Sequence, residues 1–156
     1  MTPLLSLEFT VWGVPVPQGS MKAFLPKGWD RPIVTADNKK TKPWRQEIAG
    51  AALAALGKQS PAGKNVPIRI EVRFFFPRPK SVKALDKTTR PDLDKLLRSL
   101  GDALTGILWQ DDAQVTEIHA CKLFGTPPRM EIKITEADVP AMVPAQSQSI
   151  KGLLPF

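Results

Sequence analysis

Apolar and polar residues alternate along residues 5–11, where Leu5, Leu7, Phe9 and Val11 are separated by Ser6, Glu8 and Thr10. That two-residue period predicts a half-buried strand. The same period returns at residues 68–76, with Ile68, Ile70, Val72, Phe74 and Phe76 interleaved with Arg69, Glu71, Arg73 and Phe75. Residues 114–124 read as a third strand, and Met130, Ile132 and Ile134 mark a fourth. Gly125, Pro127 and Pro128 between these two are expected to form a hairpin loop. Two stretches carry the helical period instead. Pro43 sits in the first turn of one, Trp44, Ile48, Ala51, Ala52 and Ala55 form its inner face, and Gly57 ends it. In the other, Leu93, Leu96, Leu97, Leu100, Ala103, Leu104 and Ile107 define one apolar face, and Gly106 ends it. Gly101 lies inside this second helix and is expected to permit close packing. Residues 13–42, opened by Gly13, Pro15, Pro17 and Gly19, are expected to form one long loop. The order strand, helix, strand, helix, strand, strand predicts an α+β fold, a mixed sheet of about four strands with two main helices packed on it.

Composition changes this picture little. The 156 residues suffice for one domain with a real core. We expect residues 1–136 to form it and residues 137–156, rich in Pro, Ser and Gln before an apolar Leu153, Leu154 and Phe156, to be a loosely ordered tail. One cysteine, Cys121, excludes an internal disulfide. No apolar run approaches the ~18 residues of a membrane span, and no signal-peptide pattern is present, so a cytoplasmic protein with no membrane partner is expected. The formal charge of +7 makes an anionic partner plausible. His119 and Cys121 share a strand face, but two ligands do not make a zinc site, and they read as ordinary strand residues.

The chemistry is concentrated in residues 90–115, RPDLDKLLRSLGDALTGILWQDDAQV. Two carboxylate pairs, Asp92 with Asp94 and Asp111 with Asp112, flank the second helix. Asp94, Arg98 and Asp102 fall four residues apart and line up along its polar side. Each Asp alone reads more easily as a cap, a turn residue or half of a surface pair such as Asp102 with Arg98. Two pairs around one short helix favour a hard divalent ion held by oxygen ligands, magnesium with manganese as a substitute and no small-molecule cofactor. Such an ion neutralises charge on a phosphodiester and activates water. A helix of this length spans ~15–20 Å, so the reading requires the fold to bring the second pair back to the first.

Pro-Asp-Leu-Asp, a basic residue four positions on, Asp-Ala-Leu-Thr, and Trp-x-Asp-Asp-x-Gln-Val together resemble the RusA-type Holliday junction resolvases. FTVWGVPVPQGS and KTKPW near the N-terminus resemble the opening of that family, and the resemblance covers roughly residues 5–136. It implies catalytic roles for Asp92, Asp94, Asp112 and Arg98, with Asp111 a further metal ligand. It also implies a homodimer that cuts four-way DNA junctions by paired symmetric nicks leaving ligatable ends. A two-fold dimer suits a two-fold junction. This chain departs from the family pattern in carrying Arg98 where Lys is frequent, and Lys95 where Asn is frequent.

Basic residues elsewhere are candidate phosphate contacts: Lys80, Lys83, Lys87, Arg90 and Lys95 beside the first carboxylate pair, and Lys22 and Lys27 in the 13–42 segment. Phe24 and Trp29 lie among the latter. A stacking role on an exposed base is one reading, and covering part of the core is the preferred one for Trp29. The rival functions are a magnesium nuclease acting on other branched DNA and a basic DNA-binding protein without catalysis.

Overall fold

The computed structural model describes residues 4–19, 21–36 and 38–137. Along the chain come β1 (Ser6–Trp12), β2 (Met21–Phe24), β3 (Ile33–Ala36), α1 (Thr41–Leu56), β4 (Ile68–Phe76), α2 (Leu93–Leu104), a single 3-10 turn (Asp112–Gln114), β5 (Val115–Phe124) and β6 (Arg129–Glu136). Four strands form one mixed sheet in the order β1-β6-β4-β5, in which β4 runs parallel to β5 and antiparallel to β6. The α+β class and the two main helices follow the sequence pattern.

The core lies between one face of this sheet and the two helices. Leu7 and Val11 of β1, Ile68 to Phe76 at alternate positions of β4, and Met130, Ile132 and Ile134 of β6 are buried. Against them pack Trp44, Ile48, Ala52 and Leu56 of α1 and Leu96, Leu100, Ala103 and Leu104 of α2. Fully burying a side chain such as Phe74 or Leu100 contributes about 1.5–3 kcal/mol, so β4 carries the sheet's largest share. The opposite face is polar, with ion pairs from Arg69 to Glu117 at 2.7 Å and from Arg73 to Glu131 at 2.9 Å. Glu117 and Cys121 stand on that face. The His119 imidazole and then the Arg69 guanidinium hold the Glu117 carboxyl below its ordinary range, and burial pushes the Cys121 thiol up. A raised thiol pKa fits an unreactive strand residue.

Three expectations are corrected. Residues 125–128 do not close a hairpin, because β5 and β6 lie on opposite sides of β4 and the connection must cross its end. Alternation reports which face of a strand is buried, not which neighbour it pairs with. The 13–42 segment is not one long loop, since β2 and β3 pair antiparallel as a two-stranded hairpin. Those strands are four residues each, too short to set a clear period. Gly101 admits no close neighbour, since an added Cβ would meet nothing within 4 Å.

Glu136 ends β6, and the Ala137 N–H then donates to the Pro67 carbonyl at 2.8 Å. The tail expected beyond this point falls at 138–156, outside the described residues. No helix among the described residues is long and apolar enough to cross a membrane.

Candidate active site

The N-terminal end of α2 presents the first carboxylate pair. Asp92 occupies the N-cap position in extended conformation, yet its side chain makes no capping hydrogen bond, and Asp94 follows in the first turn. Both are exposed. A carboxylate at a helix N-terminus that is not spent on the backbone keeps its oxygens for a ligand. The segment leading into Asp92 is fastened to the edge of the sheet. Asp86 bridges to Leu123 of β5, and the Lys122 ammonium donates to the carbonyls of Thr89 at 2.9 Å and Pro91 at 2.7 Å. Pro17, Gln18, Gly19, Asn38, Arg90, Pro91, Asp92 and Lys95 enclose a hollow of about 470 Å³ here. Gln18 is held from two sides, because its N–H donates to the Lys95 carbonyl at 3.0 Å and its Oε1 accepts from Arg45 at 2.7 Å. Arg45 also approaches Asp102 at 3.9 Å, so Asp102 pairs with α1 rather than with Arg98.

The second pair stands at the other end of the same helix. Thr105, the C-cap residue, shares its hydroxyl among the Gly101 carbonyl at 2.8 Å, the Trp109 indole N–H at 3.0 Å and the Asp112 carboxylate. The indole donates, so the single hydroxyl proton serves either the carbonyl or the carboxylate. Trp109 and Leu108 are almost wholly buried and anchor the turn. Asp111 caps the following 3-10 turn by accepting from the Ala113 N–H at 2.9 Å. Gln114 completes a capping box: its Oε1 accepts from the N–H groups of Gln110 and Asp111, and its amide donates to the carbonyls of Gly63 and Val66. All these bonds are internal, and Gln114 is 6% exposed, so the loop is clamped to residues 63–66 from beneath.

The two pairs do not meet within the chain. Eleven residues separate Asp94 from Thr105, a rise of about 16 Å along α2, and Asp112 is bonded to Thr105. Among the described residues no group of three or more His, Cys, Asp or Glu side chains comes close enough to hold a metal ion. The sequence reading required the fold to bring Asp111 and Asp112 back to the first pair, and within one chain it does not. They stay past the end of the helix.

The family model for the endodeoxyribonuclease RusA matches residues 13–135. The chain belongs to the RusA endodeoxyribonuclease family. It is an enzyme that cuts DNA within the strand. YqaN of Bacillus subtilis (strain 168) is 30% identical over 142 residues, covering 83% of this chain and 96% of that protein. The crossover junction endodeoxyribonuclease rusA of Lactococcus phage r1t is 39% identical over 75 residues, covering 47% of this chain and 57% of the phage protein.

The remaining predicted site residues of this RusA-family chain divide by position. Arg98 is exposed on α2 one turn past Asp94, with no hydrogen bond or ion pair among the described residues. Arg90 and Lys95 border the Asp92 hollow. Lys80 and Lys83 are exposed in the approach to it. Lys87 is half-buried, donates to Thr89 at 2.7 Å, and stands 5.4 and 5.5 Å from the ring centres of Phe76 and Phe124. Its ammonium serves local packing as well as any ligand. Lys27 is exposed between β2 and β3, and the Lys22 side chain lies outside the described residues. Gln18, Arg45, Thr105, Gln114 and Lys122 were not singled out from the sequence. Gln18, Thr105 and Gln114 stand inside quoted motifs, but only tertiary partners distinguish them from ordinary surface polar residues.

Proposed function

We propose that the chain resolves four-way DNA junctions by paired symmetric nicks, acting as a homodimer with magnesium, for which manganese can substitute. The observation that carries this reading is the match to the RusA family across both carboxylate pairs. The phage relative's name adds the crossover junction as substrate. In this reading Asp92, Asp94, Asp111 and Asp112 hold the ion, an all-oxygen donor set of the kind hard divalent cations take. The chemistry such an ion supplies is charge neutralisation at the phosphodiester and a lowered pKa for water.

One chain alone does not supply this site, because Asp94 and Thr105, to which Asp112 is bonded, stand about 16 Å apart along α2. The site is therefore composite, with Asp92 and Asp94 from one protomer and Asp111 and Asp112 from a second copy. A two-fold dimer then forms two equivalent sites, one for each of two opposed strands of a symmetric junction. Within each, Arg98 places positive charge where the phosphate gains negative charge. Arg90 and Lys95 draw the backbone into the hollow beside Asp92. Residues 1–136 act as the nuclease domain, and the cytoplasm is the compartment this reading implies.

Mixing two inactive variants tests it. Asp92→Asn and Asp112→Asn homodimers should each fail to nick a synthetic mobile junction in magnesium. A composite site regains one intact centre in every heterodimer, so an equal mixture should recover about a quarter of wild-type nicking. No recovery after demonstrated subunit exchange would sink the composite site. A panel of flaps, forks and four-way junctions separates junction resolution from cleavage of other branched DNA. Binding that persists in chelator, with no nicking in magnesium, would reduce the chain to a binding protein.

A further inference from the structure

The β2–β3 hairpin and its turn expose four large apolar side chains that the core does not use. Phe24 is 51% exposed, Leu25 62%, Trp29 58% and Val34 54%. Phe24 faces Ile33 across the ladder and Ala23 faces Val34, so these pairs lie on opposite faces of the ribbon, and both faces carry exposed side chains. The preferred sequence reading, that Trp29 covers part of the core, is corrected by its exposure. The turn that carries Trp29 is well defined: the Trp29 N–H donates to the Pro26 carbonyl at 3.1 Å, and Gly28 has φ +87. That left-handed backbone suits glycine and closes a tight turn, leaving Trp29 just past the tip.

Charge identifies what this arm fits. Residues 21–40 hold five Lys or Arg against two Asp. Lys27, Arg31, Lys39 and Lys40 are exposed, and none makes an ion pair among the described residues. A polyanion with flat apolar rings is matched by aromatic and cationic groups together. Position identifies where that ligand leads. Pro17, Gln18 and Gly19 before the hairpin and Asn38 after it line the same hollow as Asp92 and Lys95. The arm therefore rises from the rim of the carboxylate end of α2.

We propose that the β2–β3 hairpin is a strand-capturing arm, on which an unpaired DNA base stacks against Trp29 while Lys27 and Arg31 hold the neighbouring phosphates. The inference rests on the nuclease reading and deepens it. At the centre of a branched DNA the bases are the least constrained by stacking, so the arm selects distorted DNA over plain duplex.

The test is equilibrium binding in chelator, where cleavage cannot intrude, using three fluorescent probes: a four-way junction, a linear duplex of the same length and a thymidine homopolymer strand. Loss of one base–aromatic stack weakens binding about tenfold or more. Trp29→Ala should therefore weaken binding to the junction and the homopolymer about tenfold and leave duplex affinity unchanged, while Trp29→Phe should retain most of the wild-type preference. Unchanged junction affinity in Trp29→Ala would overturn the arm. Equal weakening on all three probes would also overturn it, as a general loss with no stacking component. A fall in solution mass from dimer to monomer would assign the arm to a second copy instead. These failures are distinct from failure of the nuclease reading, in which the wild-type protein itself would not distinguish the junction from the duplex.

Discussion

The two ends of α2 carry the same chemical group and treat it in opposite ways. At the C-terminal end, Asp112 is bonded to Thr105, Asp111 commits one carboxylate oxygen to a cap, and Gln114 ties the loop to residues 63–66. At the N-terminal end, Asp92 forms no cap although it occupies the cap position, and it borders an open hollow lined with Arg90 and Lys95. One end is set by internal bonds before any ligand arrives. The other withholds its carboxylates from the fold, as a site completed by ion and DNA requires. Preorganised groups lose little freedom when a ligand binds, whereas an open basic hollow provides the attraction.

The largest effect should come from removing either carboxylate. Asp112→Asn or Asp92→Asn should lower the cleavage rate by about 10²–10³, the several kcal/mol that a metal supplies to such a transition state. Junction binding measured in chelator should stay intact or tighten slightly, since one negative charge facing phosphate is removed. Near wild-type cleavage by either variant would remove that end of α2 from the site.

The clamp under the C-terminal end should matter next. Gln114→Ala leaves two carbonyls and two N–H groups without their partners, and it should cost about 3 kcal/mol of stability in urea or thermal unfolding. If stability barely changes, the loop is not held in the way its hydrogen bonds indicate.

Arg98 sharpens the contrast in the middle of the helix. With no partner to lose among the described residues, Arg98→Ala should leave the melting temperature unaltered and reduce cleavage about a hundredfold, while Arg98→Lys should stay within about tenfold of wild type. Equal losses in both would point to a forked contact that only arginine makes.

The approach to the N-terminal end can be divided by salt dependence. Lys80→Ala and Lys83→Ala should each lower the slope of log K against log salt by roughly 0.9. Lys87→Ala should instead destabilise the fold slightly, because its ammonium lies against Phe76 and Phe124. An unchanged slope in the first two would show that those lysines are only solvated.

The smallest effect belongs to the open sheet face, away from both ends. The Glu117 carboxyl has a lowered pKa, so its contribution is present above the ordinary value of 4.5 and is lost as pH falls through the depressed one. Glu117→Gln should therefore melt slightly below wild type at neutral pH, and the gap should close in acid. It should leave cleavage unchanged, which a role for that face in the reaction would contradict.

Much of this arrangement is written in local pattern. The alternation from Ile68 to Phe76, the apolar stripe from Leu93 to Leu104 and the carboxylates flanking it are read directly, because burial imposes a period on each element separately. The family resemblance rests on the same stretch, and the match over residues 13–135 agrees with it. Pairing partners are a different matter. β5 and β6 look like neighbours in sequence, yet β4 lies between them, since an inserted strand leaves no mark on the residues of its flanks. The short β2–β3 hairpin is hidden for another reason: its strands are four residues each, too short to carry a period.

The same division runs through the site. Its chemistry needs only residue types, so four aspartates, one arginine and a basic surround could be named from the chain alone. Their distances could not be. Whether Asp112 folds back to Asp92 or remains beside Thr105 depends on Trp109 and Leu108 entering the core and on Gln114 reaching residues 63–66. These contacts join segments some fifty residues apart, and no local propensity specifies them. Twelve helical residues cannot be shortened, and that rigidity makes a single chain only half of the proposed centre.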